Sequence, residues 1–319
     1  MTTDADWTSL RGIATNLLDG SPIAILITAV IAFGFPILLH YLLYRGAASP
    51  PSTSFLLLGP SGSGKTALFS LLEGKSQRLG QPVRSTHTSQ TSTFTTVTLP
   101  PTVPTASNRY RSVNDPSLSD ISRNPIKYQL RDTPGHGKLR QTEGIGRLVS
   151  MTNAKNPKSK ARGVIFVVDS AALSDNETLR ETAAYLHDVL LYLQKRALNK
   201  GKSSSKVATE VPVLVAANKQ DLFTALPPSS VRNKLEAEIE NIRKSRSKGL
   251  MDASADSSTG EADDEILGGD DGQGVFSFQL LQEEVGLKVE VVGGAVQNSS
   301  ETDAESGVRK WEEWVGMCL

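Results

Sequence analysis

Residues 54–72 read Ser54-Phe-Leu-Leu-Leu58, then Gly59-Pro60-Ser61-Gly62-Ser63-Gly64-Lys65-Thr66, then Ala67-Leu-Phe-Ser-Leu-Leu72. An apolar run, a glycine-rich turn and an amphipathic run follow without a gap, which predicts strand, loop and helix. The turn fits the phosphate-loop pattern G-x-x-x-x-G-K-S/T. Glycines let successive backbone N–H groups curl round a polyphosphate, because no Cβ blocks the approach. The helix starting near Lys65 turns its N-terminus, the positive end of its dipole, toward the same anion. In that arrangement Gly59, Ser61, Gly62, Ser63 and Gly64 line the phosphates. Lys65 reaches the β- and γ-phosphates, and the Thr66 hydroxyl binds Mg²⁺. The plainer reading is a glycine-rich turn before an ordinary core helix.

Working outward toward the C-terminus, Asp132-Thr133-Pro134-Gly135-His136 follows an apolar strand. The Asp132 carboxylate can hold Mg²⁺ through water, and the Gly135 N–H can bond the γ-phosphate. Loss of that phosphate would release the segment, which makes a switch. Further on, Val211 to Ala217 reads as a buried strand ending in Asn218-Lys219-Gln220-Asp221. Guanine presents two donors on one edge, and the Asp221 carboxylate can accept both, whereas adenine has no such pair. The Asn218 amide can meet the other edge of the base and the Lys219 stem can lie along the ring. A site built on such a bonded pair discriminates by about 10⁴ or more.

Upstream of the loop, Ile23 to Tyr44 is about 22 residues without Asp, Glu, Lys or Arg, long enough as a helix to cross roughly 30 Å of hydrocarbon. Pro22 suits a first helical turn and Pro36 a kink. Only His40 interrupts the apolar character, and the N-terminus is acidic rather than basic, so neither a core helix nor a signal peptide fits as well. Arg45 after the span and acidic residues before it orient the long C-terminal part to the cytosol, where nucleotide is found. The expected organisation is a lumenal 1–21, a transmembrane helix 22–44, a linker 45–53 and a nucleotide-binding domain 54–319. Acidic and basic residues balance at 34 each among 319, so no nucleic-acid surface is implied. The single cysteine, Cys318, allows no internal disulfide and does not form a prenylation box, and Thr2 excludes myristoylation.

Within 54–319, Phe94–Leu99 and Ile126–Arg131 read as strands paired antiparallel, with an inserted loop over 100–125. Before them, Gln77 to Thr93 is polar and rich in Ser and Thr, as a mobile loop would be. Gly163–Asp169 reads as a central parallel strand. Asn176–Leu198 is an amphipathic helix on which His187 is expected to be partly exposed. A second helix is expected over Ser229–Arg246, an acidic disordered insertion over 247–274, a last strand over Leu287–Val292 and a closing helix over Val308–Met317. Trp311 and Trp314 should pack that helix on the sheet.

These markers, on alternating strands and helices, resemble the small GTPase fold: an α/β P-loop G domain, a mostly parallel six-stranded sheet with helices on both faces. With the N-terminal span, the chain resembles the signal recognition particle receptor β-subunit family. Asp132 to Arg140 (Asp-Thr-Pro-Gly-His-Gly-Lys-Leu-Arg) and the Trp-Glu-Glu-Trp end are especially like it. The resemblance implies GTP and Mg²⁺ as cofactors and an endoplasmic reticulum membrane anchor. It also implies a GTP-dependent grip on the N-terminal domain of the receptor α subunit through the switch regions. Ribosome and translocation channel would be reached indirectly. The alternative is an Arf/Sar-type trafficking GTPase that cycles catalytically. A phosphotransferase would leave the guanine motif without a role. The chain departs from the usual pattern in three places. His136 stands where a water-orienting Gln is common, so its expected role is water positioning with slow hydrolysis. Gly294-Ala295-Val296 replaces Ser-Ala-Lys, leaving only a backbone contact through Ala295. Thr88 and Thr91 are both candidates for the first-switch metal ligand, with Thr91 preferred.

Overall fold

The structure, a computed structural model, describes residues 26, 29–30, 32–39, 53–76, 87–106, 125–156, 158–201, 211–254, 267–268, 275–296 and 301–319. The chain divides into two units, Met1–Pro51 and Ser52–Leu319. In the first, every described residue between 26 and 39 is helical, and Leu26, Phe33, Phe35 and Ile37 are exposed. The rest of the expected 22–44 span, the 1–21 segment and most of the linker lie outside the described residues. Among the described residues, no helix is both long and apolar enough to cross a membrane.

The second unit is built on one six-stranded sheet in the order β2-β3-β1-β4-β5-β6. The strands are β1 (Ser54–Leu58), β2 (Thr93–Thr98), β3 (Lys127–Asp132), β4 (Ala161–Asp169), β5 (Val213–Asn218) and β6 (Val289–Gly293). Only β2 runs antiparallel, pairing Thr93 with Asp132 and Thr98 with Lys127. The continuous apolar runs of β1, β4 and β5 are buried on both faces, as central parallel strands must be. Alternate residues serve opposite layers. Phe55, Leu57, Ile165 and Leu214 face α1 (Lys65–Ser76) and the closing helix, which runs over Glu301–Cys318. Leu56, Phe166, Val168 and Val215 face the other layer of helices. These are α2 (Gly146–Thr152), α3 (Asn176–Gly201), α4 (Pro228–Ser254) and α5 (Phe278–Val285), with the closing helix as α6.

Most expected elements appear within a few residues. The antiparallel β2–β3 pair is as expected, and Trp311 and Trp314 on α6 are buried as expected. The Trp314 ring packs edge-on against Phe55, over Gly163, where a Cβ would come within 2.9 Å of it.

Other expectations are corrected. Helix α4 continues past Arg246 to Ser254, into the stretch expected to be disordered. Leu267, within the same stretch, is fully buried, and the following Gly268 N–H bonds Gln194 Oε1 at 2.8 Å. A lone leucine among acidic residues finds an apolar seat that local composition does not reveal. The remainder, 255–266 and 269–274, lies outside the described residues. The inserted loop 100–125 is likewise anchored at its start, with Val103 and Thr105 buried, while 107–124 is outside the described residues. His187 is buried rather than partly exposed, its Nδ1 3.5 Å from Asp188. Its place on the inner stripe of the long α3 buries it despite its polarity.

Candidate functional site

Parallel register brings the carboxyl ends of β1, β3, β4 and β5 to one edge, pairing Leu57 with Asp132 and Asp169 with Asn218. Open parallel sheets bind ligands at that edge. The three sequence motifs therefore converge there although they are far apart in the chain.

The phosphate loop turns through positive φ at Gly59 (138°), Gly62 (77°) and Gly64 (95°). A Cβ at Gly59 would lie 2.2 Å from the Val167 carbonyl oxygen, and one at Gly64 2.2 Å from Asn218 Nδ2. Only glycine satisfies both the conformation and the close approach. Ser63 Oγ donates to the Pro60 carbonyl at 2.9 Å and stiffens the turn from within. Lys65 Nζ donates to the same carbonyl at 2.7 Å. Burial pulls the Lys65 ammonium down to about 8, against the attraction of Asp132 and with the repulsion of Arg140. A buried cation so weakly supplied with anions is matched by an incoming polyphosphate.

Beside it Thr66 Oγ1 donates to Asp132 Oδ2 at 2.7 Å. Asp132 is buried, which raises its pKa against the opposing bonds from Thr66 and Ser89 and the charge of Lys65. Its second oxygen, Oδ1, is buried with no hydrogen-bond partner among the described residues. An orphaned carboxylate oxygen next to a threonine hydroxyl is a hard-oxygen donor set. That fits Mg²⁺, which takes one or two carboxylates and relies on substrate phosphates for the rest. Gly135 packs directly on the loop: a Cβ there would be 2.5 Å from Lys65 Nζ and 2.7 Å from Ser61 N. A polar cavity of about 170 Å³ lies between these groups, bordered by Gly62, Lys65, Thr66, Thr88, Ser89 and Gly135.

A larger cavity of about 480 Å³ lies on the other side of the loop, bordered by Ser61, His136, Arg140, Asp169, Glu181 and Lys219. Asn218 is buried. Its Nδ2 donates to the Ser63 carbonyl at 2.9 Å, and its Oδ1 accepts from Val296 N–H at 3.1 Å. Lys219 takes a left-handed φ of 64°, alone among described non-glycine residues, and its ammonium is paired with Asp169. Asp169 Oδ1 in turn accepts from Ala171 N–H at 3.0 Å. Asp221 is exposed, as are Leu222 and Phe223 beside it.

A family model described as the signal recognition particle receptor beta subunit matches residues 51–289. The chain belongs to that family. The chain is 27% identical over 263 residues to the signal recognition particle receptor subunit beta of Saccharomyces cerevisiae, covering 82% of each. A solved structure described as the receptor's SRb-GTP/SRX complex from Chaetomium thermophilum is 34% identical. It covers 82% of this chain and 98% of its own, with a TM-score of 0.58. A second, described as SRb-GDP-Mg from the same organism, is 35% identical with a TM-score of 0.53, covering 84% and 98%.

The motif residues Gly59 to Thr66, Asp132, Gly135, Asn218, Lys219 and Asp221 all border one edge of the sheet, while several details differ from expectation. Ser89, not Thr91, meets the Thr66–Asp132 pair: its hydroxyl lies 3.0 Å from Thr66 Oγ1 and 3.4 Å from Asp132 Oδ2. Thr88 borders the same cavity, and Thr91 is exposed two residues before β2. The reason is register: pairing Thr93 with Asp132 carries the chain past the cavity before Thr91 is reached. Asn218 acts first as a brace between the loop and Val296. The Ala295 N–H, expected to meet the base, donates to the Gly307 carbonyl at 3.3 Å. His136 is exposed at the rim of the larger cavity. Sequence reading missed Ser89, hidden in a uniform Ser/Thr stretch. It also missed Asp169 as a partner for Lys219, although a carboxylate closing an apolar strand was a visible signal.

Proposed function

We propose that this chain is a membrane-anchored GTP-binding subunit of the signal recognition particle receptor. In its GTP form it holds the N-terminal domain of the receptor α subunit at the endoplasmic reticulum membrane for co-translational targeting. The observation that carries the reading is the meeting of a phosphate loop, a buried Asp132 with a free oxygen and an Asn218-Lys219-Gln220-Asp221 turn at one sheet edge. Relatives described as bound to GTP and to GDP with Mg support the cofactors, and the SRX complex supports the α-subunit partner.

In this reading the loop N–H groups and the Lys65 ammonium hold the phosphates. Thr66 and Asp132 hold Mg²⁺, with a hydroxyl from Thr88 or Ser89 closing the set; the metal neutralises phosphate charge. Asp221 accepts the two guanine donors and Lys219, fixed by Asp169, lies along the base. Gly135 senses the γ-phosphate through its N–H. His136 orients water, and hydrolysis is slow without a partner. The exposed apolar side chains of the helical 26–39 stretch support the single span, with the G domain on the cytosolic side. Ribosome and translocation channel are approached through the α subunit.

The test is the nucleotide content of the natively purified chain. Bound GDP or GTP is expected; adenine nucleotide would overturn the reading. Removing residues 1–45 should release a soluble domain that retains GTP, and aggregation of that fragment would argue against the anchor. A pull-down loaded with a non-hydrolysable GTP analogue should capture the α subunit, and one loaded with GDP should not.

A further inference from the structure

Resting on the nucleotide reading above, we propose that Arg140 is a positioning residue that sets the preference for a γ-phosphate by clasping the Gly135–His136 backbone to helix α3. Arg140 makes two bonds to this segment. The Arg140 backbone N–H donates to the His136 carbonyl at 3.1 Å, and its side-chain Nε donates to the Gly135 carbonyl at 2.9 Å. The side-chain bond is the clasp: it holds the carbonyl that follows the Gly135 N–H, whereas the backbone bond is the i→i−4 bond of the helical turn and does not depend on the side chain. The far side of the guanidinium is fixed on α3: Nη2 pairs with Glu181 Oε1 at 2.7 Å, and the guanidinium carbon lies 5.3 Å above the Tyr185 ring. The planar fork of arginine makes these contacts at once, and a lysine ammonium cannot.

The surroundings show that this segment is seated rather than draped. The clasp opens a π-helical stretch, Arg140–Ile145, a form that is rare and concentrated at functional sites. Gly144 in that stretch lies so close to α3 that a Cβ would be 2.3 Å from the Tyr185 hydroxyl. That hydroxyl is buried with no hydrogen-bond partner among the described residues, as is Thr182 Oγ1 one turn earlier. Gly135 meanwhile presses on Lys65 and Ser61, so its orientation and the clasp are one geometry. With its guanidinium committed to Gly135, Glu181 and Tyr185, Arg140 acts through its neighbours. It limits where the Gly135 N–H and the His136 side chain can point, and it links that orientation to the α3 surface.

The experiment uses the full chain in detergent, stripped of nucleotide. Affinities for fluorescent GDP and a fluorescent non-hydrolysable GTP analogue are compared in wild type, Arg140→Ala, Arg140→Lys and Tyr185→Phe. Losing the clasp should leave GDP affinity within about twofold and weaken the GTP analogue about tenfold, one charge-assisted bond's worth of selectivity. Arg140→Lys should retain GDP binding and lose much of the same preference. Tyr185→Phe keeps the ring and should keep the ratio. An unchanged ratio in Arg140→Ala overturns the proposal, as does an equal fall for both nucleotides, which a merely structural role would give. If Arg140→Ala does not fold, Arg140→Lys decides: a wild-type ratio there means that charge alone suffices and the clasp is not needed. Wild type that binds neither nucleotide would instead defeat the function proposed above.

Discussion

The two ends of the site are made differently. At the phosphate end Ser63, Lys65, Asp132, Thr133 and Asn218 are all buried and bonded to the protein itself. At the base end Asp221, Leu222 and Phe223 stand exposed on a turn anchored through Lys219 and Gln220. A preorganised cradle recognises phosphate by geometry built before the ligand arrives, so damage there should weaken every nucleotide and disturb the fold. An exposed carboxylate recognises the base by a pattern of donors, so its change should alter selectivity and leave the fold alone.

The sharpest test of that contrast is Asp221→Asn. It should weaken GTP by about 10⁴-fold and admit xanthosine triphosphate, because the carboxamide offers a donor where guanine needs an acceptor. The melting temperature of the nucleotide-free protein should not move; competition binding and calorimetry read the two together. Lys65→Ala should weaken GDP and GTP alike by roughly 10²–10³-fold, the loss of charge-assisted bonds to phosphate. A base-dependent loss there would break the contrast. Gly64→Ala places a methyl 2.2 Å from Asn218 Nδ2 at a φ of 95°. It should cost about tenfold or more in both affinities and lower the melting temperature.

Asn218→Ala acts first on the fold. It leaves the Ser63 carbonyl and Val296 N–H unpaired in a buried place, about 2 kcal/mol of stability measurable by denaturant titration without nucleotide. A fold untouched by that change would mean that Asn218 serves the base alone. The smallest effect separates neighbouring hydroxyls. Ser89→Ala should raise the Mg²⁺ concentration needed for tight binding by about threefold, and Thr91→Ala should leave it unchanged.

Legibility followed the range of the forces involved. The loop, the Asp132 turn and the Asn218–Asp221 turn were readable because each sits at the end of a strand, where a few adjacent residues specify backbone shape. The β2–β3 pairing and the seating of Trp311 and Trp314 were readable from alternation and residue size. Leu267 and His187 were not, since burial there depends on what α3 and α4 present from elsewhere in the chain. Ser89 and Thr91 are chemically alike and two residues apart. Only the register of Thr93 on Asp132 separates them.

By itself, the order of residues determined which chemical groups this protein presents: glycine without a Cβ, a lysine and a threonine at a helix start, and an aspartate two residues after a lysine at a strand end. Those properties belong to side chains and short turns and hold wherever the turns are placed. The tertiary structure alone decided how they are joined. It brought Ser89 to the Thr66–Asp132 pair, bound Asn218 between the phosphate loop and Val296, and tied the Gly135 carbonyl to α3 through Arg140. The reason is that a hydrogen bond between distant segments exists only once the sheet has brought its strand ends together.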